Sequence, residues 1–293
     1  MSTKSIKIFG LALAGLFLIA LGLVVFRPAQ PPPPLPNPNG YDDFLAAEKL
    51  IVGDTANLYD LKDEELRTVV EQNRAALQTV RGGLKQECQM PLTYDPNFYR
   101  SWLPHLTGLR TLYGLLAAEG KLAEQEGRTT DAAQSYLDAI RFGQEISRGG
   151  LVIERLVDIA CEELGLRRLR KLVPTLTPAE SRKISKALEE IDQKREPWEA
   201  VRTRDRRFTL RTSGLLHAVS DIFSAATRGR NQSIDEHVRM AEARPRLLMT
   251  DLAIRRFQSE RGVYPNRLTE LVPQFLQASP RDPFGTNGFI YRT

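Results

Sequence analysis

Between Lys7 and Arg27 the chain carries no charge, and the uncharged run Ile8 to Phe26 is 19 residues long. At about 1.5 Å of rise per residue, a helix of that length roughly covers the ~30 Å hydrocarbon layer of a bilayer. The sequence therefore predicts one transmembrane helix, 8–26, which obliges the rest of the chain to lie to either side of a membrane. The run passes directly into Arg27-Pro28 without a small-residue cleavage pattern, so it reads as an uncleaved signal anchor. Lys4, Lys7 and the terminal amine precede it, whereas Arg27 alone follows closely. The positive-inside rule then keeps residues 1–7 in the cytoplasm and places the C-terminal domain outside it, in the inner membrane of a bacterial cell.

Residues 27–40 follow as a spacer. Pro28, Pro31 to Pro34, Pro36 and Pro38 favour an extended polyproline II rod, and Asn39-Gly40 ends it. Over the whole chain, 42% hydrophobic and 26% charged residues describe an ordinary folded protein, neither disordered nor polytopic. Its charge is uneven: residues 41–100 carry 11 acidic against 7 basic groups, and residues 161–260 carry 15 against 21. The acidic front and basic back admit internal ion pairs as well as binding of an anionic polymer.

The periodicity of 41–245 predicts an all-α, multi-helix body, partly a tetratricopeptide-like array of helical hairpins. One helix is expected from Asp60-Asp63 to about Val80, with Leu66, Val69, Val70 and Leu77 inward; Pro91, Pro96 and Pro104 mark a loop. Between His105 and Ile146 two helices are broken near Gly127. There Gly120, Gly127, Ala132, Tyr136 and Ala139 fall at roughly the spacings of one tetratricopeptide repeat, the small residues permitting close approach. The helix from about Leu151 to Leu172 is expected to bury Ile153, Leu156, Val157, Ala160 and Leu164. Thr177-Pro178-Ala179-Glu180 forms a capping box ahead of Ile184, Leu188 and Ile191. A helix from Trp198 past Phe223 follows, and Ser233-Ile234-Asp235-Glu236 reads as a second capping box, with Pro245 kinking or dividing the last long helix.

The final segment, 246–293, reads as a helix ending at Gly262, a short helix over Leu268 to Leu271, and a small β-hairpin in which Phe284 and Phe289 flank Gly285-Thr286-Asn287-Gly288. Arg255-Arg256-Phe257, Gly262-Val263-Tyr264-Pro265 and Pro280-Arg281-Asp282-Pro283-Phe284-Gly285 resemble the G-x-Y-P and D-P-W-G landmarks of the major pseudopilins of type II secretion. Gly10 is followed by Leu11, and Gly15 stands where a prepilin peptidase site has glutamate, so pseudopilin processing is not implied. The whole layout is similar to a family of uncharacterised bacterial single-pass membrane-anchored helical proteins. That resemblance implies an architecture and leaves the activity open.

No catalytic, cofactor-binding or metal-ligating set is apparent. His105, His217 and His237 are scattered, and H-E-x-x-H, G-x-S-x-G and phosphate-loop motifs are missing. Glu162-Glu163 and Glu189-Glu190 are the carboxylates an envelope hydrolase would use, although neighbours on a helix diverge. Arg202, Arg204, Arg206, Arg207 and Arg211 are the candidate anion-binding residues, since guanidinium groups match phosphate and carboxylate; internal ion pairs to the acidic N-terminal helices are the competing reading. Cys88 and Cys161 are the only cysteines and the one possible disulfide. The expectation is a membrane-tethered, non-catalytic interaction or scaffold protein of the bacterial envelope. Its partners are the membrane, through the N-terminal helix, and other envelope proteins; nucleic acid is not expected and small molecules are left open. The alternatives are an envelope hydrolase and a binder of anionic envelope polymer or lipid.

Overall fold

The computed structural model describes residues 34–55, 58, 60–213, 225–285 and 288–292. The anticipated transmembrane helix 8–26 and most of the spacer lie outside these residues. Among the described residues no helix is long and apolar enough to cross a membrane. Residues 35–293 form one compact unit.

The unit is all-α. Its helices are α1 (Gly40–Glu48), α2 (Asp63–Gln72), α3 (Arg74–Gly83), α4 (Phe98–Gln125), α5 (Thr129–Ser147), α6 (Val152–Leu172), α7 (Pro178–Gln193), α8 (Trp198–Thr212) and α9 (Ala225–Arg261). Short 3-10 turns cover Val173–Thr175 and Leu268–Leu271. Helix α5 packs between α4 and α6, α1 lies on α3 and α4, and α9 packs on α7 and α6. One apolar cluster gathers α1 to α4 and one face of α5 around Tyr41, Phe44, Leu66, Leu77, Trp102, Leu109 and Phe142. A second joins α5, α6, α7, α9 and the C-terminal segment around Tyr136, Ile140, Leu169, Leu188, Leu252, Leu271 and Phe275.

Where local signals decide, the expected boundaries are found. The Thr177 hydroxyl accepts from the Glu180 amide at 3.2 Å while Glu180 Oε2 accepts from the Thr177 amide at 2.8 Å, which satisfies two donors at the start of α7. The break between α4 and α5 is sharp because Gly127 takes φ +72°, a conformation costly to residues with a Cβ. The two helices then close on Gly120: a Cβ there would meet Tyr136 Cε1 at 2.5 Å, so only glycine admits the ring.

Elsewhere tertiary contacts override the pattern. The single helix expected up to Val80 is split at Asn73, which is fully buried. Its carboxamide accepts from Val52 N at 3.0 Å and donates to Val52 O at 3.0 Å and Val69 O at 2.9 Å, pinning the preceding loop into the joint. Pro104 sits inside α4 rather than in a loop, on its exposed side. The supposed capping box at Ser233 lies within α9, and α9 runs undivided through Pro245. Helix α8 ends at Thr212, and the remainder of the expected helix to Phe223 falls largely outside the described residues.

The C-terminal β-hairpin is also corrected: among the described residues there is no strand, only an isolated antiparallel bridge between Arg281 and Gly288. Phe284 and Ile290 are exposed, so no apolar face backs the ribbon, and an unsupported two-stranded hairpin is marginal in water. Asp282 closes the preceding turn by accepting from Phe284 N at 2.9 Å.

Candidate functional site

A groove of about 520 Å³ opens between α2–α3 on one side and α4–α5 on the other. Although the backbone breaks at Asn73, Arg67, Val70, Arg74, Leu77 and Arg81 all line it, at offsets of three, seven, ten and fourteen that keep one helical face across the joint. Helix α4 answers with Glu119, Leu122, Ala123 and Glu126, and α5 begins with Arg128, Asp131, Gln134 and Ser135. Val70, Leu77, Leu122 and Ala123 are buried and form the base, with the charged groups on the rim.

The rim charges are ordered by pairing across the groove. Arg81 bridges α3 to both opposite helices: its Nη1 donates to Glu119 Oε1 at 3.1 Å and its Nε to Asp138 Oδ2 at 2.7 Å. Ser135 Oγ adds a bond to Glu119 Oε2 at 2.7 Å. Hydrogen bonds from Glu119 and Asp138 raise the Arg81 pKa further against the opposing effect of burial, so the guanidinium is permanently charged. At the other end Glu126 takes Arg67 at 2.7 Å and is also held by Arg128, which reaches Asp131 at 2.8 Å. These guanidinium groups, Arg128 foremost, hold the Glu126 carboxyl below its ordinary range.

A different set of charges is hidden on α6. Of the face expected to be buried, Val157 and Leu164 pack half-buried against the core while Ile153, Leu156 and Ala160 are exposed. The buried face instead carries Glu154, Arg155, Asp158 and Glu162, each no more than 2% exposed. The reason is reciprocal pairing with residues that close over it. Arg155 Nη1 donates to Asp158 Oδ2 at 2.6 Å, Ser147 Oγ on α5 to the same oxygen at 3.3 Å, and Arg195, just past α7, donates through Nη1 to Glu162 Oε2 at 2.9 Å. Glu154 caps its own helix by accepting from Leu151 N at 2.8 Å. Satisfaction is incomplete: Asp158 Oδ1, Glu154 Oε1 and Arg155 Nε and Nη2 have no hydrogen-bond partner among the described residues. Burial, with the like charge of Glu162, pushes the Asp158 carboxyl up to about 6 against the pull of Arg155 and Arg195.

The anticipated arginine cluster is dispersed. Arg204 is tied to Glu196 and donates to Gly150 O at 2.5 Å, Arg202 reaches Asp235 at 3.3 Å, and Arg211 lies 4.0 Å over the Tyr94 ring. Arg206 and Arg207 alone of the five point into solvent. The acids engaged belong to the C-terminal half, not to the acidic N-terminal helices. Cys88 and Cys161 are separate buried free thiols. Cys88 Sγ faces Gly83 O and Gln86 O, and burial pushes its thiol up to about 12; Cys161 is likewise raised by burial.

The carboxylates considered for hydrolysis do not converge either. Glu162 is sealed under Arg195, Glu163 pairs with Arg244 at 2.6 Å, Glu190 lies near Lys186, and Glu189 accepts from Gln277 N at 2.9 Å. None of them lines the groove. Among the described residues no three His, Cys, Asp or Glu side chains are placed to share a metal ion. His105 pairs with Glu48 and His237 with Ser233 O, while His217 lies outside the described residues.

The groove residues were missed at the level of sequence, although one signal was there. Arg67, Arg74 and Arg81 recur every seven residues, as do Glu119 and Glu126, but nothing local says that the two series face each other. No protein-family model, no curated protein and no solved structure matches the chain.

Proposed function

We propose that this chain is a membrane-tethered, non-catalytic adaptor of the bacterial cell envelope, which receives a segment of a partner protein in the groove between α2–α3 and α4–α5. The observation that carries the reading is the groove itself: a concavity of about 520 Å³ whose apolar base is flanked by guanidinium and carboxylate groups already paired with one another. Glu119, Glu126 and Asp131 each pair with an arginine, which favours a binding role over an acid–base one. The α4–α5 hairpin, closed by Gly120 against Tyr136, supports its comparison with a tetratricopeptide unit, and such units offer concave surfaces to extended segments.

The tether rests on the uncharged run 8–26 and its flanking lysines, and the G-x-Y-P and D-P-F-G landmarks of the C-terminal segment favour a partner within a secretion apparatus. Two experiments test the reading. An export-dependent reporter fused after Thr293 is expected to be active and a cytoplasm-dependent one silent; the reverse removes the envelope assignment. A photo-crosslinking residue replacing Gln134, in the groove, is expected to trap one discrete partner in intact cells, and the same residue replacing Lys186 on α7 is not. Equal trapping at both positions overturns the groove.

A further inference from the structure

The spacing of the rim charges says which part of a partner the groove takes. Arg67 and Arg81 lie fourteen residues apart on α2–α3 and converge on Glu126 and Glu119, seven apart on α4. Arg74 stands midway, seven residues from each, about 10 Å along a helical face. Midway between Glu119 and Glu126, however, α4 presents Leu122 and Ala123. The middle position therefore has its arginine and lacks its acid: Arg74 is exposed on the rim and makes no ion pair among the described residues. Its five N–H donors stand beside the apolar base of the groove.

Resting on the groove reading above, we propose that Arg74 binds the free C-terminal carboxylate of an extended partner chain, which supplies the missing acid of the series. Charge and shape both select that group. Arg67, Arg81 and Arg128 are already matched by Glu126, Glu119 and Asp131, and Glu71 stands on the same rim, so the site favours one negative charge over a phosphate dianion. The Arg67–Glu126 and Arg81–Glu119 pairs stand across the groove on either side of Arg74. A chain running through lengthwise would have to break both, whereas a chain end entering between them breaks neither. The guanidinium fork matches a carboxylate with two parallel hydrogen bonds.

The test uses the full-length protein in detergent micelles and the fluorescein-labelled peptide Gly-Ala-Val-Leu, as the free acid and as the carboxamide, followed by anisotropy. The free acid is expected to bind at least about tenfold more tightly than the amide, consistent with one charge-assisted interaction. Arg74→Gln should equalise the two without altering the unfolding midpoint, and inorganic phosphate should not displace the acid. Equal binding of acid and amide, discrimination that survives in Arg74→Gln, displacement by phosphate, or binding of neither peptide would each overturn the assignment. A photo-crosslinking residue in place of Gln134 separates this failure from failure of the groove. Crosslinking to the amide as strongly as to the acid leaves the groove standing and removes the carboxylate; crosslinking to neither removes both.

Discussion

The α4–α5 hairpin and the α5–α6 seam share helix α5, yet they are closed by opposite means. Between α4 and α5 the contact is made by small and apolar groups, Gly120 against Tyr136, and the charges are left on the rim of the groove. Between α5 and α6 the charges are inside: Asp158 accepts from both Arg155 and Ser147, while Glu162 holds Arg195 over the seam. The same residue types therefore do different things. On the rim, water replaces a lost partner, so the pairs join the walls of the groove without fixing the core. In the seam nothing replaces it, so the pairs specify how the helices meet and are hard to break.

The sharpest break of this contrast is Glu162→Ala. It leaves the Arg195 guanidinium, 4% exposed, with Asp192 at 3.5 Å as its remaining ion-pair partner. Removing one member of a buried pair typically costs about 3–5 kcal/mol, and a loss of that size is expected in urea unfolding. A loss below about 1 kcal/mol would mean that the seam admits water and behaves like the rim.

A second test uses pH. Asp158 titrates near 6 in the folded chain against an ordinary value of about 3.9. Because the folded state holds this proton more tightly, its contribution to stability is fully present below about pH 4 and is lost as pH rises through about 6. The stability of the wild type relative to Asp158→Asn should then fall by on the order of 2–3 kcal/mol between pH 4 and pH 7. A difference that grows with pH would show that attraction to Arg155 outweighs burial.

This contrast also marks what could be read from the chain alone. The α7 start was legible because Thr177 and Glu180 bond within one turn. Helices α4, α5 and α7 were legible because their inward residues are apolar at helical spacing. The face of α6 was misread because hydrophobicity assigns Asp158 and Glu162 to solvent, whereas Arg155 pairs with the first and Arg195, 33 residues beyond Glu162, with the second. Asn73 was missed for the same reason, since its partner Val52 lies 21 residues earlier. The arginine run at 202–211 was conspicuous as composition, but which of its members face acids depends on Glu196 and Asp235, placed by the fold.

The apolar side of the comparison is sharpened by Gly120→Ala. A Cβ at 2.5 Å from Tyr136 Cε1 and 2.7 Å from Cδ1 forces the ring or the helices to move, because Tyr136 is fully buried. Overpacking of this kind costs about 1–3 kcal/mol, while replacing a mid-helix glycine by alanine returns about 1 kcal/mol. A net loss of roughly 1 kcal/mol is expected in urea unfolding. The loss should shrink when Gly120→Ala is introduced beside Tyr136→Leu, so that a double-mutant cycle gives a favourable coupling. Additive losses would place the strain elsewhere than at this contact.

The smallest effect belongs to Arg74→Gln, and its smallness is informative. Arg67 and Arg81 each hold an acid on the opposite wall, so their loss alters how the walls are joined. Arg74 joins nothing across the groove, and its replacement is expected to change unfolding free energy by less than about 0.5 kcal/mol, as for surface positions without a structural partner. If Arg74 were only a solubilising charge, partner binding would be equally indifferent to it. A variant with an unchanged unfolding midpoint and lost discrimination between peptide acid and amide would instead separate this residue from its neighbours: Arg67 and Arg81 hold the groove together, and Arg74 acts on what enters it.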